Sequence, residues 1–481
     1  MTGPRKRGLA SSLREHRGLA DLLSYPVAAC LQDRRTRRVA QGVSIRGFHE
    51  SANEPSPLTP LEEAILIAST GPTGAAMHDG PLDKPDGTPE LGTPFLHVTG
   101  RAASSADNCQ ATSLFMINDE AIWLLERPRE QAAIDLFRGI PPRWEDRTEA
   151  DWLAYANAVK RKVHDGRFEF PREWPYFLGW NAQHSNAPGT TCFLPVVDHT
   201  RQYINGLLIL LSEPHGKVPL FLDEWRPFRP RGAAEWVAWL AAKVGLVDPI
   251  PYQPIGGLAR VRGGFATPDA PAPLGAVVGD ARTDPEAFFL LQNLMLMGEA
   301  LRLGGWVHAA PLIPGIWHRE PGRLGLGFRE HLAKRAPGRW RRWPPVPASQ
   351  PNFVGIDGVL EGLCPPYVTD MDAAVDQVIE EKLSGPYGSP EVFGQAYRDQ
   401  ASAEAYRTRA RPHPPEAIAY TKEICRYLVE TYGRFPAHTD AFHLPGIWVQ
   451  FSHLELEYYE RFADPGHARR AAEGREIWER R

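Results

Sequence analysis

The stretch TDPEAFFLLQNLMLMGEALRLGG, residues 283–305, is the clearest helix-forming segment of the chain. Asp284 is placed to cap the helix, Pro285 and Glu286 suit the first turn, and the glycine pair at 304–305 can end it. Apolar residues recur here at spacings of three and four, which is the period of one helix face. They are Ala287, Leu290, Leu294, Met297 and Leu301. The pattern predicts a helix from Pro285 to Leu303.

The apolar surface of this helix is wider than one stripe. Leu291, Met295 and Leu296 extend it around the cylinder, and Gly298 beside the stripe permits close approach of a partner. A helix that is apolar around most of its circumference cannot face solvent on most sides. We therefore expect it to lie centrally in the core or at a subunit interface.

The composition is that of a large globular protein. The chain has 481 residues, 43% of them hydrophobic, and a formal net charge of -4. This charge argues against nucleic acid as a partner, because the chain lacks the overall positive field that would hold it. No apolar run has the length of a membrane span, and the basic first residues lack the apolar core of a secretion signal. The five cysteines show no CxxC spacing, so we expect free thiols, a cytoplasmic protein and no membrane partner.

Four arginines surround one threonine in QDRRTRR, residues 32–38. Guanidinium groups so close together repel one another, so either solvent screens them or an anion lies among them. Alternate residues of the run can face one target, which would place Arg34, Thr36 and Arg38 on one side. The guanidinium fork is suited to phosphate oxygens. From the run alone, a solvated surface and a phosphate site both remain open.

A loop of small and polar residues, GRAASSADNCQ, occupies positions 100–110. Its backbone can pass close to a flat heterocycle, while serine and asparagine side chains supply hydrogen-bond donors and acceptors at the ring edge. An ordinary surface turn is the alternative.

Two neighbouring elements are defined by local signals. Thr59, Pro60 and Glu62 form a capping-box pattern with proline at the first helical position, which predicts a helix from Pro60 to about Ser69. The apolar runs SLFMI and IWLLE flank the polar residues 118–121 and predict a β-hairpin.

The order of these parts resembles the nitroreductase-like flavoproteins. The first motif of that family is roughly R-x-S-x-R/K and binds the FMN phosphate; Arg34, Thr36 and Arg38 match it. The apolar helix resembles the family's QNLMLAAEALGLGS segment, which packs in the core and at the dimer interface.

The family's second motif resembles A-P-S-S-x-N-x-Q and lies along the flavin. AASSADNCQ matches it with Ala103 in place of proline and with one extra residue, so the register is uncertain by one. The residues that carry over are Ser104, Ser105, Asn108 and Gln110.

The resemblance implies an α+β fold with a mostly antiparallel sheet wrapped by helices, and FMN as cofactor. It implies an oxidoreductase that transfers hydride between NAD(P)H or an organic substrate and an acceptor. The resemblance also implies a small molecule as substrate and a homodimer. Residues 1–30 would form an N-terminal arm, and 31–320 a flavin-binding core with a long insertion at about 140–275. Residues 321–481 would form a C-terminal helical extension. Catalytic residues are not identified, because the unmatched segments would supply the pocket wall.

Two alternative functions remain open. One is a non-catalytic binding or scaffold descendant of the same fold. The other is a metal-dependent hydrolase built from imidazole and carboxylate groups near the C-terminus. Its candidate ligands are His438, Asp440, His443, His453 and Glu457.

Overall fold

The computed structural model describes residues 16–77, 96–169, 181–212, 280–309, 316–317, 325–330, 353–383, 390–408, 413–432, 435–440 and 446–479, with isolated short pieces between 220 and 266. The helices are α1 Arg17–Ser24, α2 Val27–Asp33, α3 Pro60–Ala68, α4 Gln131–Gly139, α5 Glu149–Val159, α6 Thr200–Ser212, α7 Asp280–Ala300, α8 Met371–Leu383, α9 Pro390–Gly394, α10 Gln400–Arg407, α11 Pro415–Tyr432, α12 Leu456–Phe462 and α13 Pro465–Glu479.

The strands are β1 Pro72–Ala75, β2 Thr99–Arg101, β3 Thr112–Ile117, β4 Ala121–Leu125, β5 Lys160–Asp165, β6 Thr191–Asp198, β7 Leu220–Phe221, β8 Phe265–Ala266, β9 Gly304–His308, β10 Arg329–Glu330, β11 Phe353–Ile356, β12 Leu360–Glu361, β13 His438–Thr439 and β14 Trp448–Ser452.

One antiparallel sheet organises the protein. Its strands follow the order β10-β11-β13-β6-β3-β4-β5, and β14 pairs with both β6 and β9. Alternate residues of β3 face opposite sides of the sheet: Leu114 and Met116 pack with α3, α5 and α7, whereas Phe115 and Ile117 pack with Trp317 and its neighbours. The fold is therefore a mixed structure of helices and antiparallel sheet with apolar packing on both faces.

The two locally defined elements are confirmed. Helix α3 begins at Pro60 with both hydrogen bonds of the capping box between Thr59 and Glu62. Strands β3 and β4 form the predicted hairpin, and the Asn118 side chain accepts the backbone N–H groups of Glu120 and Ala121 in its turn. Short-range signals determine these elements because each is closed by hydrogen bonds between neighbours in sequence.

Helix α7 crosses one face of the sheet, but it begins before the predicted cap. It starts at Asp280, so Pro285 lies inside it. Asp284 does not begin the helix; its carboxylate lies 3.6 Å from the His199 ring, and the Thr283 hydroxyl contacts the other ring nitrogen at 2.8 Å. These tertiary contacts hold an additional N-terminal turn that sequence alone does not predict.

Most of the wide apolar surface of α7 packs against other parts of the same chain. Leu290, Leu294 and Met295 belong to the core under β3 and β14, whereas Phe288 and Phe289 are 40% and 49% exposed. The predicted central position is therefore confirmed for one side of the helix.

The predicted insertion and the predicted helical extension both contribute to the main sheet. Within 140–275, β6 is a central strand that pairs with β3 and β14, and β5 forms an edge. Within 321–481, the strands β10 to β14 join the same sheet. The C-terminal segment therefore contains strands of the main sheet in addition to helices. The sequence does not indicate these strands, because long-range strand pairing leaves no motif in it.

No helix among the described ranges is both long and apolar enough to cross a lipid bilayer.

Gly298 provides the close approach that the sequence indicates, but the neighbour is a strand of the same chain. A Cβ atom at this position would lie 2.2 Å from Cε1 of Phe451 on β14. We expect Gly298→Ala to destabilise the protein by roughly 1 to 3 kcal/mol, because an added methyl group would overpack this contact. Denaturant unfolding of the purified variant measures the change.

Gly139→Ala is the control for this substitution, since a Cβ atom at Gly139, the last residue of α4, has nothing within 4 Å. Equal unfolding free energies for the two variants would show that the Gly298 contact is loose.

Candidate functional site

The arginine run follows α2 and divides its side chains between the interior and the surface. Arg37 is 3% exposed, and its Nη2 lies 3.1 Å from Oε2 of Glu299, near the end of α7. The same nitrogen donates to the Leu303 carbonyl at 3.4 Å. Burial raises the pKa of Glu299 above its ordinary value, although the charge of Arg37 opposes this. Arg37 therefore anchors the run to the central helix.

The alternate positions behave differently. Thr36 and Arg38 are exposed and Arg34 is half-buried. Arg35 turns back to donate to the carbonyl groups of Gln32 and Arg34. No described carboxylate forms an ion pair with the guanidinium of Arg34 or Arg38. Their positive charges are therefore available to an anion at the surface.

Arg38 lies beside neutral aromatic groups. Its guanidinium donates to Oδ1 of Asn181 at 3.0 Å and lies 5.9 Å from the Trp306 ring centroid. Trp306 stacks on His308 with 3.8 Å between centroids. Burial and the charge of Arg38 hold the pKa of His308 well below its ordinary value and lower the pKa of His184 to about 4. These imidazoles add no charge to the surface around Arg38 near neutral pH.

The second predicted motif lies at the opposite end of α7, around Glu286. This carboxylate is 1% exposed and accepts hydrogen bonds from the Ser105 hydroxyl at 2.8 Å and from the backbone N–H of Thr112 at 3.0 Å. Arg101 Nη1 also lies 3.0 Å from it. Glu286 therefore fixes both ends of the loop that contains the motif.

Most polar groups of the motif are satisfied within the chain. Asn108 donates to the carbonyl groups of His97 and Thr99 at 2.6 and 2.9 Å. Gln110 donates to the Thr99 carbonyl and accepts from Arg127. Ser104 is exposed. In this conformation Ser105, Asn108 and Gln110 are half-buried and shape the loop, and Ser104 is the predicted residue of this loop that is exposed.

Gln110 also borders a cavity of about 560 Å³. The charged residues in its lining are Arg101, Glu126, Arg127, Arg129, Asp198, Arg201, Glu361 and Glu381. Arg201 lies 3.1 Å from Asp198 and 2.9 Å from Glu381. Burial lowers the pKa of Arg201, but the charges of these two carboxylates outweigh burial and raise it above its ordinary value. Burial and the charge of Glu286 raise the pKa of Cys109 to about 12, so this lining thiol is protonated and unsuited to act as a nucleophile.

The two predicted motifs lie far apart within one chain. Glu286 and Glu299 are 13 residues apart on α7, which corresponds to about 20 Å at a rise of 1.5 Å per residue. Arg34, Thr36 and Arg38 are absent from the cavity lining, whereas Gln110 is present. The structure thus places the predicted phosphate residues and the predicted ring-binding loop at opposite ends of one helix.

The predicted C-terminal ligands are also separated. His438 pairs with Asp198 at one end of β6, and Phe451, two residues before His453, pairs with Thr191 at the other. Seven residues of a strand span about 23 Å. His453 instead lies 3.4 Å from Glu62, and His443 falls outside the described residues. The hypothesis of one metal centre that contains both His438 and His453 is therefore wrong.

Glu286 and Glu299 are the site-forming residues that sequence reasoning missed. Their only signal is that each is a carboxylate in a helix whose surface is largely apolar. Such residues must find partners in the fold, because burial of an unpaired charge is costly.

No protein-family model matches this chain, and no curated protein matches it.

We expect Arg37→Ala to destabilise the protein by roughly 1.5 to 3 kcal/mol, because the buried carboxylate of Glu299 would lose one charge-assisted hydrogen bond and keep its ion pair with Arg470 at 3.3 Å. Arg35→Ala should change stability by less than about 0.5 kcal/mol, since the hydrogen bonds that this exposed side chain makes within the described ranges go to the backbone carbonyls of Gln32 and Arg34. Denaturant unfolding compares the two variants. Equal losses would mean that the Arg37 pair contributes no more than a surface contact.

Proposed function

We propose that the protein is an FMN-dependent oxidoreductase of the nitroreductase-like kind and that Arg34, Thr36 and Arg38 bind the flavin phosphate. The observation that supports this proposal is the division within the arginine run. Arg37 is buried on Glu299, while Arg34 and Arg38 have no described carboxylate partner. Two guanidinium groups and a hydroxyl presented at the surface by a fixed backbone suit a phosphate dianion.

Hydrogen bonds to α12 and to the residue before it fix the backbone of the proposed phosphate site. The N–H groups of Arg38 and Val39 donate to the Tyr459 hydroxyl at 2.9 and 3.1 Å, and the Glu455 N–H donates to the Val39 carbonyl at 3.0 Å. Together with the Arg37 pair, these contacts orient Arg38 before any ligand arrives. Preorganisation reduces the entropy lost on binding.

When bound, the flavin would transfer hydride between NAD(P)H or an organic substrate and an acceptor. The protein's contribution would be to hold the phosphate, to shield the ring and to position the substrate. A homodimer forms part of this proposal, because the loop at Ser104 lies about 20 Å along α7 from the arginine run. The loop of a second copy would then approach the ring of a flavin held by the first.

The proposed phosphate contacts are tested with flavin released from purified protein. A hydrogen bond to a charged group contributes about 1.5 to 3 kcal/mol, so Arg34→Ala or Arg38→Ala should weaken FMN binding at least about tenfold. The double variant should be colourless. Arg35→Ala, the matched control in the same run, should retain the yellow colour.

Riboflavin separates phosphate binding from ring binding, because it lacks the phosphate group. The unaltered protein should bind FMN more tightly than riboflavin, and the double variant should bind the two with similar affinity. Unaltered protein that contains no flavin and cannot be reconstituted with FMN would exclude this function. A non-catalytic binding or scaffold role would then be the better interpretation.

The proposed dimer is tested at Phe288 and Phe289. Each partly exposed ring that an interface covers contributes roughly 1 to 2 kcal/mol, so Phe288→Ser with Phe289→Ser should shift the protein towards a monomer. Light scattering measures the mass. Phe462→Ser is the control, because this ring on α12 is similarly exposed, at 46%. A monomeric unaltered protein would contradict the dimer without excluding flavin binding.

A further inference from the structure

A buried imidazole and two carboxylates converge where the loop after the arginine run meets the start of α12. Ligand atoms of His49, Glu455 and Glu457 all lie within 4.8 Å of one another. We propose that these three residues bind a divalent transition-metal ion of the zinc type. This site differs from the C-terminal cluster expected from the sequence, because only Glu457 is common to both.

His49 provides the observation that points to a ligand. The side chain is only 6% exposed, yet its Nε2 atom has no hydrogen-bond partner within the described parts of the chain. This atom lies 3.7 Å from Oε1 of Glu455, too far for a hydrogen bond. Two atoms that each lie about 2.1 Å from one zinc ion are separated by about 3.4 Å at the tetrahedral angle. The observed separation is close to that of two ligands of one ion.

The imidazole is held in position by its own turn. The backbone of His49 exchanges two hydrogen bonds with Ile45, at 2.7 and 2.9 Å. Gly47 within this turn has a φ of +79°, a conformation that glycine adopts without strain. The Tyr458 ring packs against the His49 ring with 5.8 Å between centroids. The orientation of Nε2 towards Glu455 is thus fixed by the fold.

Glu455 is held by an outer layer of donors. Its Oε2 atom accepts from the Gly42 N–H at 2.9 Å and from the Ser51 hydroxyl at 2.5 Å, and its Oε1 atom accepts from Asn53 Nδ2 at 2.7 Å. Donors of this kind orient a ligating carboxylate. Oε1 still has a lone pair for an ion, since a carboxylate oxygen accepts two contacts.

Glu457 supplies the third ligand from the exposed side of α12. One imidazole and two carboxylates form a mixed nitrogen and oxygen set, which suits a borderline divalent ion more than Ca²⁺ or Mg²⁺. Water would complete the coordination on the open side. The ion would connect the segment from Gly42 to Asn53 with α12, whose Tyr459 holds the backbone of Arg38.

Zinc chloride is the probe for this proposal. After treatment with a chelator and dialysis, the unaltered chain should bind one more zinc ion than His49→Ala in isothermal titration calorimetry. Glu457→Gln should weaken that ion's binding at least about tenfold, since removing even an outer partner of a metal ligand costs 10- to 100-fold. Glu460→Gln is the matched control, because Glu460 is an exposed carboxylate of the same helix.

His164→Ala controls for zinc bound at imidazoles elsewhere, since this ring lies on β5, outside the cluster. A second measurement is the unfolding temperature, which should rise with zinc concentration in the unaltered protein and less in Glu457→Gln. If circular dichroism shows that His49→Ala does not fold, the exposed Glu457→Gln decides the outcome. Equal stoichiometry and affinity in unaltered protein and Glu457→Gln would overturn the proposal, whether or not the protein binds flavin.

Discussion

Two buried carboxylates on the central helix determine how the remaining parts are arranged. Glu286 and Glu299 are 1% and 3% exposed at the two ends of α7, within the main core. A buried charge is tolerated only when other groups neutralise or hydrogen-bond it. Glu286 therefore forms an ion pair with Arg101 and a hydrogen bond with Ser105, and Glu299 forms an ion pair with Arg37. The helix is at once a packing element and the anchor for both polar segments.

This arrangement explains why one arginine run faces both the core and the surface. Successive residues in an extended segment point to opposite sides. Because the Arg37 side chain points inward to Glu299, its neighbours Thr36 and Arg38 point towards solvent. The electrostatic requirement of the core thus sets the side on which positive charge appears. Arg34 and Arg38, which have no carboxylate partner among the described residues, thus lie on the side of the run away from the buried Glu299.

The same principle applies at the junction before α12. Glu455 is fully buried and is surrounded by donors from a single loop, through Ser51, Asn53 and the Gly42 backbone. Strand β14 brings the carboxylate to this position, and the loop after the arginine run closes over it. Two segments about 400 residues apart in sequence are joined in this way. His49 is buried against them by the same closure.

Elements whose stabilising contacts are local can be predicted from the sequence. The Thr59 and Glu62 capping box, the hairpin at Asn118 and the apolar stripe around Leu294 each depend on residues a few positions apart, so their patterns are visible in the chain. Three other features follow from the packing of distant segments: β6 is a central strand, the neighbour of Gly298 is Phe451, and His438 and His453 lie apart. The same packing places His49 beside Glu455. These features depend on pairing between distant segments, which is selected by the burial of whole faces and charges and leaves no periodic signal in the sequence.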